Sequence, residues 1–225
     1  RDQALKVAAA MLQAQAGDLD IRDGMIVDAA SGEERMALSE VGRIVYFRGD
    51  TLPKGLPREL MQTRHFITSD YPYAFTNGVQ ASYVEVDTDT GFVKLLKHWC
   101  VEDCGRIINP LLVDEQIRGG IVQGIGAALF EEICYDDEGQ LLNGTMADYL
   151  VPMSGEMPDM VIRHVETPTG ESELGAKGAG EAGTAGAPAA VMNAINDAIR
   201  PLGGTVTHMP FTPERILRAL GTITN

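Results

Sequence analysis

One carboxylate set in a run of glycines is the feature of this sequence most suited to chemistry. Gly175-Ala-Lys177-Gly178-Ala-Gly180-Glu181-Ala182-Gly183-Thr184-Ala-Gly186-Ala-Pro188 contains a single acid, Glu181. Glycine lets a backbone approach a ligand closely and adopt positive φ. Such a loop can present Glu181 while shielding it, and a shielded carboxylate can act as a general base. The same composition also fits a flexible surface loop with one solvated Glu, because glycine-rich loops are common. No G-K-[ST] occurs, so the stretch is not a phosphate-binding P-loop of the Walker type.

A second block lies upstream. Val101-Glu-Asp103-Cys104-Gly105-Arg-Ile-Ile-Asn109-Pro110 runs into Gln116-Ile-Arg-Gly119-Gly120-Ile-Val-Gln123-Gly124-Ile-Gly126. Gln116 and Gln123 are seven residues apart and fall on roughly one helical face. An amide offers donors and an acceptor to a heterocyclic edge, although each Gln also reads as an ordinary helix-surface residue. Gly119 and Gly120 leave room for a ligand or for a neighbouring helix. Asp103, Gly105 and Asn109 read as turn and strand-end structure.

Taken together these segments resemble the molybdenum-binding subunit of the xanthine dehydrogenase, aerobic carbon monoxide dehydrogenase and aldehyde oxidase family. Lys177-Gly-Ala-Gly-Glu181 is similar to its K-G-x-G-E signature. The 103–126 block is similar to its D-x-G-x-x-I-N-P and G-Q-x-x-G-G-x-x-Q-G-I-G run. Tyr83-Val-Glu85-Val-Asp87 with Thr90-Gly91 is similar to the strand pair before it. The resemblance runs in order along essentially the whole chain. It implies a molybdenum-pterin cofactor, as molybdopterin or its cytosine dinucleotide form, with Glu181 as the base beside the metal. Gln116, Gly119, Gly120, Lys177, Gly180, Ala182, Gly183 and Thr184 would border the cofactor, Lys177 on a phosphate or a carbonyl unless it is simply exposed. No protein side chain is expected to ligate the metal.

The resemblance further implies an α+β fold forming one lobe, about two structural repeats, of a two-lobed cofactor-binding unit. Other family motifs would precede Arg1. The chain is therefore expected to be a C-terminal part of the subunit that holds no cofactor and turns over no substrate alone. Its partners would be the remainder of the molybdenum subunit, an iron–sulfur subunit and a flavin subunit carrying FAD, and its substrate an aldehyde, heterocycle or similar small molecule. A non-catalytic scaffold or assembly module of the same fold is the alternative. The isolated chain should expose a large apolar face, with Met146, Met153, Met157 and Met160 supplying part of it. Glu181 should lie in a partly buried concavity, with Gln116 close to its loop.

Composition sets the outer limits. The 225 residues are 44% hydrophobic, enough for one large domain or two small lobes. A formal net charge of −14 argues against nucleic acid, whose phosphates it would repel. No apolar run reaches membrane-spanning length. Cys100, Cys104 and Cys134 cannot supply the four thiolates usual for an iron–sulfur cluster, and read as buried reduced thiols of a cytoplasmic protein. His65, His98, His164 and His208 lack metal-ligand spacing.

The elements that must position these residues follow from periodicity. Residues 3–15 predict a helix. Asp23-Gly24 predicts a hairpin turn, and Ser39 caps a short helix. Residues 49–72 are irregular, broken by Pro53, Pro57 and Pro72, and form with the preceding elements a lead-in, 1–72, to a motif-bearing core, 73–225. Two strand arms flank Asp87–Gly91, the second ending at Asn109-Pro110, and a helix spans 112–131. A hairpin lies around Asp136–Gly139, a strand over Met160–Val165, and helices from about Pro188 to Arg200 and over Pro213–Leu220.

Overall fold

A computed structural model describes residues 1–68 and 73–224, so Pro72 lies outside the described residues. The chain divides into two compact units, Arg1–Phe66 and 67–225. The boundary falls six residues before the one expected from proline content.

The first unit packs two helices with a small antiparallel sheet. Helix α1 is Asp2–Leu12 and helix α2 Leu38–Phe47. Strands β1 (Leu19–Arg22), β2 (Met25–Asp28) and β3 (Glu34–Ala37) lie in that order. Asp23 and Gly24 take φ of 47° and 78°, the positive pair that a two-residue hairpin turn requires. Leu5, Val7, Ile26, Val41 and Val45 form the core. Ser39 does not cap α2. Ala37 holds the N-cap position with no side-chain bond, because β3 runs directly into the helix.

The second unit carries both motif segments. Strands β4 (Asn77–Val86) and β5 (Val93–Asp103) form a long antiparallel pair, and β6 (Asp159–His164) adds to β5 in parallel. Helix α3 (Pro110–Leu129) and helix α4 (Ala182–Ile199) pack on one face, and α5 (Pro213–Ala219) closes the chain. Asn109 does not end a strand. Its side chain accepts the Leu112 N–H at 3.3 Å and caps α3, with Pro110 at the first helical position, where a missing N–H costs nothing. The hairpin expected near Asp136 reduces to a turn closed by one bridge, Tyr135 to Leu141.

Ile117, Ile121 and Ile125 of α3 and Val191, Ile195 and Ile199 of α4 recur at four-residue spacing and are fully buried. Burying such side chains stabilises a fold by about 1.5–3 kcal/mol each. They meet Leu95, Met160 and Ile162 from the sheet. Met160 is thus core rather than exposed surface, because its strand turns it inward, and Met157 packs beside it, whereas Met146 and Met153 are exposed.

The sheet has two unlike faces. A bulge at Tyr83/Val84 keeps the inward set in phase along the whole β4–β5 pair. Outward stand Val79, Tyr83, Trp99 and Val101, all exposed. Val79 lies opposite Val101, and Trp99 between Ala81 and Val161, so the apolar side chains adjoin. Among the described residues no helix is long and apolar enough to cross a membrane.

Candidate functional site

Helix α4 begins at Ala182, six residues earlier than its proline suggests. Pro188 sits inside the helix. The local preference is overridden by packing on α3, where only small residues fit. A Cβ added at Gly120 would lie 3.0 Å from Thr184 N, and one at Gly124 would lie 2.7 Å from Ala187 Cβ. A Cβ added at Gly183 would run into the Ile117 carbonyl oxygen and lie 2.8 Å from Ile121 N. The two helices approach almost backbone to backbone, and Glu181 becomes the N-cap residue of α4.

The glycine loop before it is pinned at both ends. Gly105, at φ +68°, pairs with Ala176; Arg106 N donates to Gly175 O at 3.0 Å and Lys177 N to Cys104 O at 2.8 Å. At the other end Gln116 Nε2 donates to Gly180 O at 2.9 Å. Thr184 Oγ1 donates to Gly120 O at 3.1 Å and also meets Gln123 Oε1 at 3.2 Å. The structure therefore brings Gln116, Gly180, Glu181, Thr184, Gly120 and Gln123 together, across more than 60 positions of sequence. The predicted approach of Gln116 to the loop is present as a direct hydrogen bond.

Glu181 itself is exposed, not partly buried in a concavity as expected. Nothing in the loop or in α3 rises over it, because Gly119, Gly178 and Gly180 flank it with no side chain and have open space where a Cβ would stand. Among the described residues its carboxylate makes no hydrogen bond or ion pair. A fixed backbone thus carries an uncommitted acid.

Lys177 faces the other way. Its Nζ lies 3.3 Å from Asp103 Oδ1, and the two side chains are only 10% and 8% exposed. Asp103 also accepts from Gly105 N at 2.9 Å and Thr167 N at 3.0 Å. Hydrogen bonds from Thr167, side chain and backbone, hold its carboxyl well below the usual carboxylate range, with Lys177 adding to the effect. Lys177 is neither exposed nor aimed at the bare loop; it ties the loop to the end of β5. Gly120 and Gly183 likewise serve the helix–helix contact. Ala182, the first residue of α4, is buried.

Sequence reasoning missed a polar network beneath the site. The inner face of β4 and β5 carries Gln80, Ser82, His98, Cys100 and Glu102 where a sandwiched sheet would ordinarily carry apolar residues. His98 is fully buried and Glu102 nearly so. Gln80 Nε2 donates to Gly183 O at 3.0 Å and Ala182 O at 3.3 Å, and Cys100 Sγ to Glu102 Oε1 at 3.3 Å. Burial pushes the Glu102 carboxyl up and, together with Glu102, pushes the Cys100 thiol up to about 12. Polar residues at alternate strand positions were the available signal, once the inward face is known.

Burial also lowers the His98 imidazole to about 4, so the folded protein keeps it neutral. The unfolded chain takes up that proton near the ordinary value of about 6.5. Below about pH 6.5 the unfolded state binds more protons, and unfolding free energy falls as pH drops toward the folded value. Urea-unfolding midpoints between about pH 4 and 7 should carry this contribution, against the opposite one from the raised Glu102 carboxyl. His98→Gln should remove the histidine's contribution; an unchanged slope would show that His98 is accessible.

No cluster of three His, Cys, Asp or Glu side chains suited to a metal occurs among the described residues. Gly119, Gly178 and Gly180 leave open space beside Glu181 that larger side chains would occupy.

Residues 1–158 match the molybdopterin cofactor-binding domain model. The chain belongs to that family, the molybdopterin-binding large subunits of xanthine dehydrogenase, carbon monoxide dehydrogenase and aldehyde oxidase type enzymes. It is 43% identical over 219 residues to the nicotine 6-hydroxylase large subunit of Paenarthrobacter nicotinovorans, covering 97% of this chain and 27% of that protein. It is 29% identical to the carbon monoxide dehydrogenase large chain of Hydrogenophaga pseudoflava, covering 97% and 26%. The crystal structure of quinoline 2-oxidoreductase from Pseudomonas putida 86 superposes with a TM-score of 0.71 at 40% identity, covering 98% of this chain and 28% of that one. That match establishes the α+β architecture as one lobe of a molybdopterin-binding domain. The chain spans about a quarter of the length of these relatives.

Proposed function

We propose that this chain contributes part of the cofactor pocket of a molybdenum hydroxylase, with Glu181 as general base. The observation that carries this reading is the hydrogen bond from Gln116 to Gly180 O, which joins two separate motif segments beside an uncommitted carboxylate. Such an enzyme oxidises a small organic molecule with water as the source of oxygen. The molybdenum-pterin cofactor, in its molybdopterin or cytosine dinucleotide form, would supply the redox chemistry. Gln116, its Nε2 committed to Gly180, would offer Oε1 to a donor on the pterin edge. Gly119 and Gly180 would admit the cofactor to close range. Glu181 would accept a proton at its carboxylate as substrate is oxidised, and the bare flanks leave that oxygen reachable.

The names of the relatives support a substrate class. Those at 43% and 40% identity are a nicotine hydroxylase and a quinoline oxidoreductase, whereas a carbon monoxide dehydrogenase stands at 29%. We therefore assign a nitrogen-containing aromatic ring as substrate. The rest of the molybdenum subunit would cover the outer sheet face bearing Val79, Trp99 and Val101, since a contiguous apolar face of this kind marks an interface. Iron–sulfur and flavin subunits would carry electrons away. Purification of the complex from its native host, with molybdenum and pterin analysis, tests the reading. Stoichiometric molybdenum with iron and flavin is expected; a stable complex containing this chain but neither molybdenum nor pterin would overturn it.

A further inference from the structure

We propose that Gln80 is a positioning residue for Glu181: its side-chain amide clasps the first turn of α4 and sets where the Glu181 backbone stands. This rests on the assignment of Glu181 as base. Gln80 lies on the inner face of β4, about a hundred positions before the residues it holds. Its Nε2 donates to the carbonyls of Ala182 and Gly183, the two residues that follow Glu181.

The amide can stand in only one orientation. The partners on that side are the two carbonyl oxygens and, at 3.4 Å, Glu102 Oε1, all of them acceptors, so the NH2 must face them and Oε1 must point toward His98. Oε1 meets His98 Nε2 at 3.1 Å. Oε1 only accepts, so His98 carries its proton on Nε2, and Nδ1 accepts from the Ser82 hydroxyl at 2.9 Å. Ser82, His98 and Gln80 therefore form one directed chain of donors ending on the α4 carbonyls. A buried neutral imidazole keeps that direction fixed.

The space for this chain is reserved by glycine. A Cβ at Gly186 would lie 3.0 Å from Gln80 Cδ and 3.1 Å from its Nε2, and a Cβ at Gly78 would lie 2.5 Å from Glu102 Cδ. The carbonyls of Ala182 and Gly183 already accept helical N–H groups four residues on. Gln80 is thus not needed to satisfy them. It adds a restraint at the one end of α4 that carries Glu181, while Val191, Ile195 and Ile199 hold the remainder by apolar packing.

The test uses the complete enzyme. Gln80→Met keeps volume and removes the donor. The expected result is a loss of kcat on the order of 10–100-fold, the scale of a small misplacement of a catalytic group. KM and molybdenum content should be unchanged, and amide hydrogen exchange over residues 182–187 should quicken. In a Glu181→Gln background the same change should cost little more, since the group it positions is gone. Gly186→Ala is the second variant: it raises helix propensity yet crowds the amide, and should lower kcat without loss of folding. Full kcat in either folded variant, with Glu181→Gln inactive, overturns the positioning role and leaves the base assignment standing. High turnover in Glu181→Gln alone overturns both.

Discussion

Glu181→Gln in the complete enzyme should lower turnover by about 10²–10⁴-fold, the usual cost of losing a general base. The substitution keeps shape and side-chain length and removes only the proton-accepting oxygen. Gln116, Thr184 and Gln80 hold the surrounding backbone through carbonyls and hydroxyls that the change does not touch. Molybdenum and pterin content should therefore stay at the wild-type level. Steady-state kinetics with metal analysis on the same preparation makes the comparison. Turnover near wild type at full metal loading would remove Glu181 from the mechanism.

The second large effect concerns folding. A Cβ at Gly183 would strike the Ile117 carbonyl oxygen and lie 2.8 Å from Ile121 N. Both atoms belong to the backbone of α3 and cannot rotate aside, so Gly183→Ala must separate two helices. Overpacking of this kind costs about 1–3 kcal/mol, occasionally more, and Tm falls by roughly 2–4 °C per kcal/mol in a domain of this size. Gly119→Ala is the control. Nothing lies within 4 Å of its added Cβ, so thermal stability should hold or rise. If Gly119 borders the cofactor, the same variant should nevertheless lower molybdenum loading in the complete enzyme. Equal melting temperatures for both variants would mean that α3 and α4 have room for a methyl group between them.

Much of this was legible in the residues. Period-two arms around Asp87–Gly91 gave β4 and β5, and the meeting of Gln116 with the glycine loop followed from the two motif segments. The start of α4 was not legible. Pro188 and the glycines read as helix breakers, yet Gly183, Gly186 and Ala187 are small because α3 and Gln80 press against them. Local propensity cannot report a neighbour that is absent from the local sequence. Lys177 shows the same limit: in a glycine run a lone cation reads as exposed, and only the fold supplies Asp103 beneath it. Gln80 and His98 were hidden because strand alternation alone does not say which face is inward.

Beside the side-chain contacts of Lys177 and Thr184, the loop that carries Glu181 is held through its main chain. Gln116 grips the carbonyl of Gly180, Gln80 those of Ala182 and Gly183, and the Cys104 carbonyl receives the Lys177 amide. None of these contacts reads the identity of the loop residue it touches. A graft of residues 175–186 onto another scaffold would copy the signature and lose its shape, because the side chains that set that shape from outside stand at positions 80, 103 and 116. Substitution can drift along the loop within steric limits, while the residues that hold it from outside are the ones that a transplant must carry along.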